Sequence, residues 1–395
     1  MKRALNILMT LTLALGAGSA ARAGSGDPSV TPAAYHGDND LREAYEASAR
    51  MRMLSESTVA LFSPRNLMLD EATGNYNLKK LNVKQKFNLR DGETFNDQPS
   101  GAFCSGVLVG EDLVLTAGHC LAPHPKGGPC GSVLFAFGFA YSRAGAAPTS
   151  IPAEDVYGCS EVVVQHVREQ DKEGFGEHFT CRGGSCQTFA VNGKGADYAL
   201  VRLNRPVQNR VPLAISRAAV KAGARVGAIG YPSGMPVKVQ EAGASVRSLN
   251  ANGYFVTDLD TFGGNSGSPV FNLDTYKIEG ILVRGDPDYA YASNTSSGAV
   301  VNDPRRPYQY APGRANYYAQ DGGDGEEVTL IGEVQALIPV TRFEAALDQA
   351  ARQVSRPASS APKAVPAIYS PGQGGSVQPA VYYAPEPSAP QPVRI

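Results

Sequence analysis

Residues 261–270 read Thr-Phe-Gly-Gly-Asn-Ser-Gly-Ser-Pro-Val. A serine set this closely among glycines can turn its hydroxyl and two backbone N–H groups toward one substrate atom. Such a loop must be small and rigidly backed, which limits the folds that can carry it. Two upstream segments supply partners. Residues 115–120, Leu-Thr-Ala-Gly-His-Cys, contain His119, and residues 195–201, Gly-Ala-Asp-Tyr-Ala-Leu-Val, contain Asp197. Serine is a weak nucleophile until a base takes its proton. His119 is the candidate base for Ser266, and Asp197 is the candidate group that fixes the imidazole tautomer and stabilises the imidazolium. Gly264 N–H and Ser266 N–H are the candidate oxyanion donors. Backbone must approach the substrate there, so Gly264 has no room for a side chain.

The rest of the chain favours a turn-rich β protein. It holds 43 glycines and 28 prolines, and only 18% of its residues are charged. Its 395 residues are enough for two lobes with separate cores. A net charge of −1 gives no electrostatic reason to bind nucleic acid or an anionic membrane. Residues 1–23 have the shape of a secretory signal: Lys2 and Arg3, an apolar run over 4–16, then Ala21-Arg22-Ala23. The apolar run falls short of the about 20 residues that span a bilayer. A secreted location, extracellular or periplasmic, is therefore expected, with six cysteines available for three disulfides.

Along the chain, residues 24–54 are expected to be a pro-segment or flexible arm with a short helix over 41–54. Strand chemistry appears at 57–62, 106–109, 112–116, 133–139, 162–166 and 198–203. It recurs at 224–232, 244–246, 254–256, 268–271, 280–283 and 328–331. Residues 286–327 are expected to be a surface insertion. Within it, the acidic run at 321–327 is a solvated turn or a calcium loop, and Asn294 opens a glycosylation sequon. Thr341 is expected to cap a terminal helix over 341–354 with Phe343, Ala346, Leu347, Ala350 and Ala351 on one face. Residues 356–395, rich in Pro, Ala and Ser, form a tail too poor in apolar residues to fold. His36, His124, His166 and His178 carry no partner pattern and are read as surface or structural.

The order His119, Asp197, Ser266, each in these contexts, resembles the chymotrypsin-like (trypsin-like) serine endopeptidases, and within them the bacterial branch with V8-type glutamyl endopeptidases. The resemblance covers about 55–355 and implies an all-β fold. That fold has two antiparallel six-stranded β-barrels, about 55–207 and 208–340, followed by a C-terminal helix. It implies peptide-bond hydrolysis on protein or peptide substrates through an acyl-enzyme. No metal or cofactor, no nucleic acid and no membrane anchor are implied, and a monomer is expected. It also implies a Cys104–Cys120 disulfide pinning the histidine loop. Cys130, Cys159, Cys181 and Cys186 allow three pairings. The short glycine-containing loop 181–186 can close on itself, which leaves Cys130 with Cys159. Zinc is the other use of these four, without a paired spacing to favour it.

The resemblance weakens at the substrate pocket. Asp260 stands at the offset before Ser266 where trypsins carry their pocket carboxylate, implying cleavage after Arg or Lys. Thr261, Phe262 and the wall Leu282, Val283, Arg284, Gly285 complete the expected pocket. Leu282 stands where glutamyl enzymes carry a histidine, whereas Arg284 either neutralises Asp260 or attracts an acidic side chain. Asn265 replaces the aspartate that pairs with a freshly cut N-terminus in digestive enzymes. Two other functions stay open: an inactive peptide-binding homologue, and an esterase. An α/β-hydrolase esterase would place histidine last in the chain.

Overall fold

Short β-branched runs broken by glycine and proline become strands wherever a second run can take up their backbone groups. The computed structural model describes residues 35–121, 129–170, 176–182, 185–191, 194–291 and 312–354, without the side chains of 169–193 and 353–354. The chain divides into two compact units, residues 1–348 and 349–395. Of the second, only the last turns of a helix are described, and the signal-like segment, the Asn294 sequon, His124 and the tail lie outside the described residues.

In the first unit six strands close a barrel: β1 (Thr58–Phe62), β2 (Ala102–Leu108), β3 (Leu113–Thr116), β4 (Leu134–Ala136), β5 (Val156–Gln170) and β6 (Asp197–Leu203). Their order is β4-β1-β2-β3-β6-β5, and β5 returns to β4 with antiparallel pairing throughout. Val59, Leu61 and Phe135 on one face of this sheet and Val107, Leu115 and Leu200 on the other are all completely buried in the main core. A second barrel comprises β7 (Arg225–Gly230), β8 (Lys238–Asn250), β9 (Tyr254–Thr257), β10 (Pro269–Asn272), β11 (Ile278–Arg284) and β12 (Glu326–Leu330). Its order is β7-β10-β11-β12-β9-β8, with β8 pairing back to β7. Val226, Phe255, Val270, Leu282 and Val328 pack inside it. Each expected strand segment falls on one of these strands. The architecture is the expected pair of closed six-stranded antiparallel barrels. β5 and β8 run far beyond their expected segments. β5 continues into a hairpin of Gly176–Arg182 and Ser185–Val191, where Cys181 stands opposite Cys186 in the backbone register. The side chains of that third expected pair lie outside the described ones.

Residues 35–54 are not a flexible arm, one of the two alternatives expected there beside a pro-segment. From residue 35 onward the arm is part of the body, with Tyr35, His36, Leu41, Met51 and Leu54 all buried. Arg42–Glu43 pairs with β8, placing Glu43 beside Lys238. Helix α1 (Ala49–Ser55) therefore starts later than expected, capped by Ser48, whose Oγ accepts Met51 N at 3.3 Å. The backbone of 42–43 is taken up by the sheet and is lost to the helix. Lys238 shows why the arm cannot be loose. Its buried Nζ donates to Pro236 O and Gln98 Oε1, each at 2.8 Å, and to the Glu43 carboxylate at 3.2 Å.

The region 286–327 is also more than a surface insertion. Its described ends fold inward, with Tyr289 and Tyr291 buried and Tyr289 paired across to Ala315. In the acidic run, Arg247 caps the carbonyls of Asp321 and Gly322 at 2.8 and 3.0 Å, whereas Glu326 is buried within β12. At the end of the first unit Thr341 Oγ1 accepts Glu344 N at 3.0 Å, capping α2 (Arg342–Val354). The buried face differs from the expected apolar one. Ala346 is exposed, while Glu344 is buried and held by Arg217 through two hydrogen bonds of 2.8 and 3.1 Å.

Candidate active site

The end of β3 and the 3-10 turn Gly118–Leu121 carry His119, and the start of β6 carries Asp197. β3 and β6 are neighbours, with Thr116 opposite Ala199, so the two residues meet above one strand pair. Asp197 is fully buried. Its Oδ1 accepts His119 N at 3.1 Å and its Oδ2 accepts His119 Nδ1 at 2.7 Å. A carboxylate bound in this way places the ring proton on Nδ1 and leaves Nε2 to act as a base. His119 is 31% exposed, open enough to meet a substrate. A disulfide joins Cys104 on β2 to Cys120 and anchors this turn, and another joins Cys130 to Cys159.

The serine loop 261–268 enters β10 from the second barrel and docks on the first. Ser105 on β2 makes the junction. Its N–H donates to Ser266 O at 2.8 Å, and its Oγ donates to Gly264 O at 2.8 Å and accepts Tyr231 N at 3.0 Å. Cys120 Sγ lies 3.7 Å from Ser266 O, so the residue after the histidine touches the serine's own carbonyl. Glycine is required at two positions. Gly264 has φ +107°, and a Cβ there would sit 2.7 Å from Tyr231 O. Gly267 has φ +87°, and a Cβ there would lie 2.1 Å from Ser105 O. Ser233 N holds the Gly263 carbonyl at 2.8 Å. In a trans peptide the following N–H points the opposite way, so Gly264 N–H faces away from Ser233. Among the described residues no acceptor is hydrogen-bonded to Gly264 N–H or Ser266 N–H. Asn265 is buried, and its Oδ1 accepts Ser268 Oγ at 3.2 Å, a neutral lock within the loop.

Beside Ser266 lies a small pocket lined by Thr261, Phe262, Gly263, Leu282, Val283, Arg284, Gly285, Asp286, Asp288 and Glu326. Six of the seven expected pocket residues line it, and Asp260 does not. Asp260 is buried behind the loop, where Oδ1 accepts His36 N and Oδ2 accepts Asp40 N, both at 2.8 Å. Burial pushes its carboxyl up to about 7, against the pull of those two donors. The arm thus closes over the expected specificity residue. The carboxylates that do line the pocket are Asp286, Asp288 and Glu326. Asp288 accepts Gly263 N at 2.7 Å and keeps part of its surface toward the cleft. It is still enclosed enough that burial, helped by Glu326, raises it to about 7. Glu326 accepts the Thr261 hydroxyl, and burial raises its carboxyl too. His36 lies under these acids, fully buried, with Nε2 at 3.7 Å from Glu326 and 3.9 Å from Asp286.

Arg284 neither neutralises Asp260 nor opens into the pocket as a free cation. Its Nε donates to Glu327 Oε2 at 2.7 Å and its Nη2 to Gly195 O at 2.6 Å, with Nη1 3.8 Å from Asp197 Oδ2. Sequence reasoning missed Ser105, Asp286, Asp288 and Glu326. The two aspartates follow directly on the expected wall, a signal that was available. Ser105 lies far from the loop in sequence and carries no local mark, and Glu326 stood out only as part of the acidic run 321–327.

Two closed six-stranded barrels, with a serine loop from one docked on the histidine turn of the other, define the chymotrypsin-like fold. Residues 104–281 match the family model of the trypsin-like peptidase domain, a span that includes His119, Asp197 and Ser266. Similar solved structures include a Glu endopeptidase in complex with MPD, at 14% identity over 80% of this chain and 99% of that one, TM-score 0.37. The Rv3671c protease of M. tuberculosis in its active form is 16% identical over 80% and 93% of the two chains, TM-score 0.35. Human heparin binding protein is 14% identical over 75% and 93%, TM-score 0.38. Among curated protein sequences none matches the chain.

Proposed function

We propose that this chain is an exported serine endopeptidase whose triad is His119, Asp197 and Ser266. The observation that carries the reading is the 2.7 Å bond from His119 Nδ1 to a fully buried Asp197. With Nδ1–H so held, His119 Nε2 takes the proton of Ser266 as Oγ attacks the scissile carbonyl. The developing oxyanion is received by Gly264 N–H and Ser266 N–H. His119 then returns the proton to the leaving amine as the C–N bond breaks. Water attacks the acyl carbon with His119 again as base, the ester bond to Ser266 Oγ breaks, and His119 gives that proton back to Oγ as the acid product leaves. Export is supported by the signal-like residues 1–23 and by the two disulfides. Among the described residues no helix is long and apolar enough to cross a membrane.

For specificity we propose cleavage after Arg or Lys, carried by Asp288 with Asp286 and Glu326. Cleavage after Glu or Asp is disfavoured, because Arg284 is already bound to Glu327 and Gly195 O. Matched Arg, Glu and Phe peptides assayed with the wild type, Asp288→Asn and Asp260→Ser test this, with Ser266→Ala as the blank. Asp288→Asn is expected to lower the Arg-over-Phe preference about 10–100-fold, the scale of one close charge pair in partly screened surroundings. Asp260→Ser should change that preference by no more than about twofold. A wild-type preference for Glu would overturn the pocket reading. With burial raising the Asp288 carboxyl to about 7, its charged fraction grows as pH rises through that value, and KM for Arg peptides should fall. Asp288→Asn should flatten this dependence.

A further inference from the structure

A row of alternating charges runs from the surface to the histidine. Lys194 Nζ lies 3.0 Å from Glu327 Oε1, and Glu327 Oε2 lies 2.7 Å from Arg284 Nε. Arg284 Nη1 lies 3.8 Å from Asp197 Oδ2, the oxygen that also accepts His119 Nδ1. Only 16% of the Arg284 side chain is exposed, and buried Nη1 has no hydrogen-bond partner among the described residues. The guanidinium is fixed in place by Glu327 and Gly195 O, so its contact with Asp197 is electrostatic, with no hydrogen bond behind it. We propose that Arg284 is a positioning residue that acts through Asp197 to disfavour the imidazolium form of His119 and keep it a free base at lower pH. This rests on the triad reading above.

His119 and Arg284 compete for one carboxylate. Asp197 stabilises a positive charge on His119. A fixed positive charge on the far side of the same oxygen offsets part of that stabilisation. Glu327 in turn offsets part of Arg284, and Lys194 offsets part of Glu327. The other elements packed here bring few competing charges. β5 supplies His166, stacked on Tyr198 at 5.1 Å, and Arg168, packed against Gly195. β5 also supplies the neutral Gln165, which donates to Gly118 O at 2.8 Å. β9 supplies Tyr254, its ring 5.9 Å from the guanidinium. β12 supplies the Thr329 hydroxyl, which donates to Asp197 O at 3.0 Å.

The test is the acidic limb of kcat/KM against pH for a Phe peptide, which makes no ion pair with Asp288, in the full chain, together with the His119 ring titration followed by 15N NMR in Ser266→Ala. Arg284→Met removes the opposing charge and should move both upward by about half to one pH unit, narrowing activity on the acid side. Arg284→Lys keeps the charge and should restore most of the wild-type position. Glu327→Gln is isosteric, leaves Arg284 less compensated and should move both downward. Loss of a merely structural support does not give shifts of opposite sign. If Arg284→Met leaves the limb and the titration in place, or if Arg284→Met and Glu327→Gln shift in the same direction, the proposal fails. Should Arg284→Met not fold, Glu327→Gln decides alone, and an unchanged or raised value overturns the proposal. The NMR titration needs no turnover. Undiminished hydrolysis in Ser266→Ala would sink the triad reading without touching it, so the two failures are told apart.

Discussion

Replacing Ser266 with alanine is expected to lower kcat by about 10⁴–10⁶-fold while leaving the melting temperature close to that of the wild type. The side chain removed is small and lies at the cleft. The bonds that fix the loop come from elsewhere: Ser105 to Ser266 O and Gly264 O, and Asn265 to Ser268. His119→Ala should cost about as much, and Ser266→Ala/His119→Ala little more than either alone, because the groups act as one unit. Asp197→Asn should cost less than these but still about 10⁴-fold, through the wrong ring tautomer. An additive double mutant would show that the two residues do not share a proton.

The second large effect is expected from the arm. Glu43→Ala should destabilise the fold by about 3–5 kcal/mol, the scale of breaking one side of a buried ion pair. Lys238 has no exposed side-chain surface, and Glu43 reaches it from a strand that the arm alone provides. Burial lowers Lys238 to about 8, with Glu43 pulling it back up. The Glu43→Ala protein should therefore lose further stability as pH falls, because an unpartnered lysine must take up a proton in the unfolded chain that it resists in the folded one. Replacing both partners with apolar residues, Glu43→Leu/Lys238→Met, should recover most of the loss. Deleting residues 1–54 should remove cooperative unfolding altogether. Met51 and Leu54 are completely buried, and losses of about 2–5 kcal/mol for each such side chain match the whole stability of many domains. A deleted protein with a near-wild-type melting temperature would show the arm to be dispensable.

These two sites differ in how far the sequence reveals them. The loop around Ser266 announces itself because its requirements are local: glycine where φ is positive, serine between them, and proline opening β10. The strands were likewise legible from β-branched runs between turns, since barrel interiors reward short apolar segments wherever their partners lie. The arm has no such local signature. Its burial depends on Glu43 meeting a lysine 195 residues away and on His36 meeting Asp260 across 224 residues. Asp260 misled for a related reason. Its offset from the serine marked a pocket base, but an offset does not disclose which backbone donors claim the carboxylate. Arg284 sat within the expected wall and did line the pocket, while its guanidinium turned to Asp197 because Glu327 and Gly195 O hold it there. Pairings of that kind are fixed only when the second barrel closes.

Ser266 is proposed here as an activated nucleophile. This is tested most directly by treating the wild-type protein with a fluorophosphonate and mapping the adduct by peptide mass spectrometry. One covalent adduct is expected on the peptide containing Ser266, formed at least about 10³-fold more slowly in His119→Ala, where no base takes the serine proton. No adduct at Ser266 in folded protein, or equal labelling rates in the two proteins, would contradict that role.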